Sequence, residues 1–165
     1  MPIFNTSFFA QQIGVPPQQP APGMLLQAGP ILPVQVQVPA ALAQQLQATN
    51  QAIPTPIAGI ALVDTGATMS AVEVTVVLSL GIQPVGTAVV GTAGGKQMQA
   101  VYPARFSFPG TGLPHIDFSS LFGASLLGIS PAGGGQPLIA LIGRDILTQF
   151  VLVYNGPAAT FSLCF

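Results

Sequence analysis

Charge is what this sequence has least of. Its 165 residues include three Lys or Arg and four Asp or Glu, where ordinary domains carry roughly 25% charged residues. The seven are Asp64, Glu73, Lys96, Arg105, Asp117, Arg144 and Asp145. So few cations cannot neutralise a phosphate backbone, which excludes a nucleic-acid surface. A single cysteine, Cys164, excludes an intrachain disulfide framework and a cysteine-rich zinc site. A single histidine, His115, excludes His–His metal motifs; as a lone loop histidine it reads as a surface or hydrogen-bonded residue. No metal site and no cofactor are expected. Acid–base chemistry near neutral pH is left to carboxylates.

Long apolar runs are also missing. Residues 1–63 hold no charged side chain, but Gln and Pro interrupt them, and no run reaches the ~18 residues of a membrane span. The start, MPIFNTSFFAQQ, has neither the basic region nor the continuous apolar stretch of a secretory signal. A cytoplasmic chain with no membrane span is the expectation.

Glycine and proline are abundant, 19 and 17 residues. That many breakers argue against a helical bundle and for short strands joined by turns. Residues 1–27 are rich in Gln, Pro and Ala without periodicity, so residues 1–30 read as a flexible arm ahead of a domain at 31–165. Residues 31–38, ILPVQVQV, alternate as a half-buried strand, with Pro33 and Pro39 marking an edge or its ends. Residues 40–50 favour a short helix. Residues 57–63, IAGIALV, are a buried strand running into the turn Asp64-Thr65-Gly66. Residues 71–80 are ambiguous: β-branched content favours a strand, while Gly81 and Pro84 fit a helix end or a turn. Residues 85–109 read as a hairpin turning at Gly91–Gly95. Residues 110–137 form a long Gly/Pro-rich stretch with one possible strand at His115–Ser119. Residues 138–142, LIALI, are a second buried strand before Gly143-Arg144-Asp145 and a short helix at Asp145–Phe150. Asp145 suits a helix first turn. Two strands close the sequence around Asn155-Gly156-Pro157.

Asp64 is the first ionisable side chain of the chain, and it stands at the end of an apolar strand, where an unpaired carboxylate is costly to desolvate. Taken alone, Asp-Thr-Gly is most simply a turn whose Asp accepts backbone N–H bonds. The glycines at 91–95, taken alone, fit a plain hairpin turn equally well. Glu73 reads as a solvated helix or turn residue.

The order in which these features occur says more than any one of them. An apolar strand ends in DTGAT; a Gly-rich hairpin, GTAGGKQM, follows; a second apolar strand runs into GRDIL within LIGRDILTQF. Over roughly residues 31–165 this resembles the retropepsin-like aspartic proteases, the single-domain dimeric family of the retroviral proteases and their cellular relatives. The resemblance implies an all-β, closed-barrel-like fold with a flap hairpin and one or two short helices, and it favours a helix at 71–80. It implies an aspartic endopeptidase that works as a homodimer, each copy supplying one Asp64. Two carboxylates in contact share one proton, a pairing for which the aspartic proteases are themselves the standard example. The ionised one is the base for a water, and the protonated one donates to the scissile carbonyl.

The same resemblance implies roles for the neighbours. Thr65 bonds across the dimer beneath the two Asp64 residues. Gly66 lets the substrate backbone approach and its carbonyl accepts from it. Ala67 keeps the pocket small. Gly91, Thr92, Ala93, Gly94 and Gly95 form the flap tip, and Val89, Val90 and Ile82 line apolar subsites. Arg144 is structural, paired with an acidic group near the dimer interface, and Asp145 is a helix-start residue. In one respect the chain departs from the family: retroviral members often carry an acid where this chain has Thr68. Asp145, Asp117 or a backbone carbonyl is then left to partner Arg144. The expected substrate is an extended, apolar peptide, cleaved best in acid, and the uncharged leader is a candidate for self-cleavage. Two other readings stand beside this one. One is a catalytically silent dimer of the same fold that binds peptides or acts as a scaffold. The other is a low-charge assembly protein whose Asp-Thr-Gly is incidental.

Overall fold

The computed structural model describes residues 3–9, 19–92, 95–129 and 135–165. Ala93 and Gly94, most of the leader's Gln/Pro run and part of the 110–137 stretch lie outside the described residues. The elements are β1 (Ile3–Ser7), α1 (Pro22–Ala28), β2 (Ile31–Gln37), α2 (Ala40–Ala48), β3 (Ile57–Val63), β4 (Ala71–Glu73), α3 (Val74–Ser79), β5 (Gly86–Thr92), β6 (Gly95–Ser107), β7 (Ile116–Ala124), β8 (Leu138–Ile142), α4 (Arg144–Leu147), β9 (Val151–Asn155) and β10 (Thr160–Cys164).

Seven strands form one sheet in the order β2-β3-β8-β4-β7-β6-β5, and β2 also pairs with β6. That last pairing closes six strands into a barrel and leaves β5 hanging from β6 as the outer arm of a hairpin. The fold is therefore mostly β with a closed six-stranded barrel and few short helices. β2 closes the circle because its alternating pattern puts Leu32, Val34 and Val36 inside, each no more than 2% exposed. Pro33 is tolerated because β6 pairs with β2 only from Gln35 onward; it sits where only β3 flanks the strand. Phe106, Leu121, Val72, Ile139 and Ala140 fill the interior from the other strands.

Two pairings are parallel, β3 with β8 and β4 with β7. The first decides where the site lies. Both strands are continuous apolar runs, as expected of strands buried on both faces, and they end side by side at Val63 and Ile142. The Asp64 N–H carries the pairing one step further by donating to the Ile142 carbonyl at 2.9 Å. The turns leaving the two strands are thereby brought against each other.

Several segments differ from the expectations above. Residues 71–80 are neither all strand nor all helix: β4 takes three residues between β8 and β7, and α3 takes the next six. The possible strand at His115–Ser119 is a nine-residue strand, β7. It carries one extra residue against β6, since Tyr102 and Ala104 face Leu121 and Phe118. That irregularity breaks the in-out alternation that a strand otherwise shows. In the leader, β1 pairs with β10 from Ile3↔Cys164 to Ser7↔Thr160, and α1 buries Leu25 and Ala28. These two segments of the expected flexible arm are a strand and a helix. With β9, β1 and β10 complete a second, three-stranded sheet, β1-β10-β9. No helix among the described residues is long and apolar enough to cross a membrane.

Candidate active site

The turn after β3 carries Asp64, and its own backbone holds the carboxylate. Asp64 Oδ1 accepts from the Gly66 N–H at 2.8 Å and from the Ala67 N–H at 3.2 Å. Among the described residues Oδ2 has no protein partner. A side chain at position 66 would bring its Cβ within 3.1 Å of Asp64 Oδ1, so Gly66 keeps the carboxylate in place as well as leaving room above it.

The turn after β8 braces this one from below. The N–H groups of Arg144 and Asp145 donate to the carbonyls of Ala67 and Thr68 at 2.9 and 3.2 Å. The Asp145 carboxylate reaches back across the chain: Oδ2 accepts from the Ser70 N–H at 2.9 Å and Oδ1 from the Ser70 hydroxyl at 2.8 Å. Oδ1 also accepts from the Ile146 N–H at 2.9 Å, as a first-turn helix acid does. Ser70 Oγ, fully buried, accepts in turn from the Gly143 N–H at 3.0 Å. Every polar atom of this knot has a partner, which fixes its geometry. Asp145→Ala is expected to cost about 3 kcal/mol of stability, because it removes bonds to a charged acceptor and strands a buried Ser70. Urea denaturation measures it; a change below about 1 kcal/mol would show that the knot is not holding the turn.

Arg144 lies on the exposed side of the same turn. Its Nη1 donates to the Thr65 carbonyl at 3.0 Å and its Nη2 to the Thr68 hydroxyl at 2.9 Å. The neutral residue that stands where an acid was expected is itself a partner, and a backbone carbonyl is the other. Asp145 is occupied by Ser70, and Asp117 by Arg105, at 2.7 Å on the far end of β7.

Above Asp64 hangs the β5–β6 hairpin. Between hairpin and turn are two adjoining depressions of about 360 Å³ each. One is lined by Asp64, Gly66, Ala67, Met69, Ala71, Val90, Gly91, Gln99, Phe122, Ala124 and Leu141. The other continues over Thr68 to Val89. Asp64 is the only titratable side chain among the described residues that line either one. Of the expected flap residues, Gly91 faces this cleft, the backbone of Thr92 ends β5 and that of Gly95 begins β6; Ala93 and Gly94 fall outside the described residues. Val89 and Val90 line the cleft. Ile82 does not: it is 1% exposed in the barrel core, because the turn after α3 folds it inward. His115 precedes β7 and lines neither depression.

Met69, Phe122, Gln99, Ala124 and Leu141 line the cleft without having been singled out from the sequence. Phe122, Ala124 and Leu141 arrive through the β4–β7 and β4–β8 pairings, which no local pattern announces. Glu73 was expected to be solvated and is instead 3% exposed. Its Oε1 accepts from the Thr75 N–H and hydroxyl at 3.1 and 2.9 Å, its Oε2 from the Leu126 and Leu127 N–H groups at 2.6 and 3.2 Å. Burial pushes this carboxyl up, but the four hydrogen bonds outweigh it and hold it below the ordinary glutamate value. Glu73 also stands at the N-cap of α3, where it accepts from the Thr75 N–H; Glu is not among the usual capping residues, so the sequence carries no clear sign of this role.

The molecule is thus a closed β barrel whose paired strand ends present one carboxylate to a cleft roofed by a hairpin. No family model matches the sequence and no curated protein matches it. Among solved structures, the solution structure of simian foamy virus (mac) protease matches with 16% identity and a TM-score of 0.36, over 70% of this chain and 91% of that one. A likeness that slight assigns nothing to this chain.

Proposed function

We propose that the chain is an aspartic endopeptidase that acts as a homodimer. The observation that carries this is Asp64, whose Oδ2 has no partner among the described residues and which lines a cleft with no other titratable group among them. A single carboxylate has no partner to divide acid from base. A second copy related by a two-fold axis supplies one. The pair then shares one proton, since two adjacent carboxylates do not both ionise. The ionised Asp64 takes a proton from water, whose oxygen attacks the scissile carbonyl carbon. The protonated Asp64 of the other copy gives its proton to the carbonyl oxygen. The tetrahedral diol then collapses: the C–N bond breaks, the nitrogen receives a proton, and the carboxyl product leaves with the water's oxygen.

The surface beside the turn suits such a meeting. Thr65 is exposed, and with Arg144, Leu147, Thr148 and Leu152 it lines a depression of about 270 Å³ on the outer side of the turn. β9, which carries Leu152, is one of the two edge strands of the three-stranded sheet among the described residues and shows Val151 and Val153 to solvent. The substrate is an extended peptide, bound strand-like between the turn and the hairpins. Gly66 admits its backbone, and Val89, Val90 and Phe122 receive apolar side chains. Thr65, Ala67 and the hairpin tip take the supporting roles the resemblance implies; Arg144 and Asp145 are structural.

The test incubates the full chain at several acidic pH values with an unstructured protein, with and without a transition-state-type aspartic protease inhibitor. Cleavage that the inhibitor stops is the expected result. Peptide binding without cleavage would replace the enzyme with a silent binding module of the same fold, and neither binding nor cleavage would end the reading.

A further inference from the structure

The buried Glu73 has no part in the mechanism above, yet it is tied to the wall of the cleft. Glu73 ends β4 and pairs in register with Ala124 on β7, as Ala71 does with Phe122. Phe122 and Ala124 lie two residues apart and both line the cleft beside Asp64. Directly after Ala124 the chain leaves the sheet, and the first two N–H groups it offers beyond Ser125, those of Leu126 and Leu127, both point at Glu73 Oε2. Leu126 is then buried with Ile60 and Leu138.

We propose that Glu73 is a positioning residue for peptide binding: its carboxylate fixes residues 125–127 and through them the Phe122–Ala124 wall against which a substrate side chain packs. The substrate half of this inference rests on the proposed peptidase activity. All four contacts to Glu73 are donors, so only a carboxylate satisfies them; a Gln amide would set its own N–H groups against backbone N–H groups. No charged side chain from β7, β8, α3 or residues 125–129 faces it among the described residues. The nearest acid along the chain, Asp64, lies in the turn after β3, Asp145 is bound to Ser70, and Asp117 is bound to Arg105. The clamp therefore answers to the protonation of Glu73 alone. Because that carboxyl is held below its ordinary value by the hydrogen bonds it accepts, the grip is in place above the ordinary glutamate range and is lost as pH falls through the lower folded value.

The test has two arms. In the unmodified full chain, the amide proton resonances of Leu126 and Leu127 are followed by NMR from neutral to strongly acidic pH. They are expected to titrate together, with a midpoint below that of an ordinary glutamate. In the second arm, Glu73→Gln is expected to raise KM for an apolar peptide roughly tenfold while kcat stays within about threefold. Its KM is high at every pH, whereas that of the unmodified chain rises only as the carboxyl protonates. Amide resonances that do not titrate overturn the clamp, whether or not the variant folds. A folded Glu73→Gln with unchanged KM overturns the positioning role. A chain that titrates as expected but cleaves nothing overturns the peptidase reading and the substrate half with it, and leaves the clamp standing.

Discussion

Asp64→Asn will leave the barrel intact and reduce peptide hydrolysis by about 10³-fold or more. The amide is close to the carboxylate in shape and keeps an oxygen for the Gly66 and Ala67 N–H groups, so the turn has no reason to rearrange. What it cannot do is accept a proton from water or share one with its counterpart. Because the proposed homodimer would carry the change twice, neither base nor acid survives in it. Thermal unfolding and cleavage, measured on the same preparation, check the two halves. Activity that persists in a folded Asp64→Asn would remove Asp64 from the chemistry.

The second large effect is structural and arises far along the chain, in the turn after β8. Gly143→Ala is expected to cost about 3 kcal/mol, roughly 10 °C in Tm. Its backbone is ordinary extended chain, φ −87° and ψ −178°, so conformation is not the reason. Space is: a Cβ here would lie 2.5 Å from the Met69 carbonyl carbon, 2.7 Å from its oxygen and 2.8 Å from the Ser70 nitrogen. Those are backbone atoms, with no rotamer to give way. Relief comes only from separating the two turns, which pulls on the Ser70–Asp145 knot and on the carboxylate turn above it. Cleavage is therefore expected to fall as well, at temperatures where the variant is still folded. Gly91→Ala, by contrast, has open space around its Cβ and is expected to stay within about 0.5 kcal/mol of the parent. Calorimetry on both variants separates the glycine needed for close packing from the one in the hairpin. Equal stabilities would contradict the packing account.

Asp64 and Gly143 also mark how much of the site was legible in the sequence. The strands 57–63 and 138–142, the turn that ends each, and the hairpin at 85–109 are local patterns: apolar runs, glycine and the position of the first acid. They stand where the sequence put them. What joins them is not local. Asp145 finds Ser70 across 75 positions, and Glu73 finds Leu126 across 53; no spacing rule connects either pair, because the parallel pairings that bring them together are properties of the closed barrel. Glu73 therefore read as solvated, and Asp145 as a helix-start acid or a partner for Arg144, not as the acceptor of Ser70. β7 escaped in part because its extra residue breaks the alternation by which strands are recognised. The leader's strand, IFNTS, has too little apolar content to announce itself; its partner β10 supplies the hydrogen bonds.

The proposed chemistry has one requirement above the rest, that two copies of Asp64 work as a unit. Subunit mixing tests it directly. Wild-type chain is unfolded together with a varying excess of Asp64→Asn, refolded so that subunits combine at random, and assayed. A site built from both copies loses activity in every mixed dimer, so an equal mixture keeps about one quarter of the cleavage per mole of total chain. About half the cleavage retained at equal mixing, and a straight line against the wild-type fraction, would show each chain working alone and would contradict the shared-proton account.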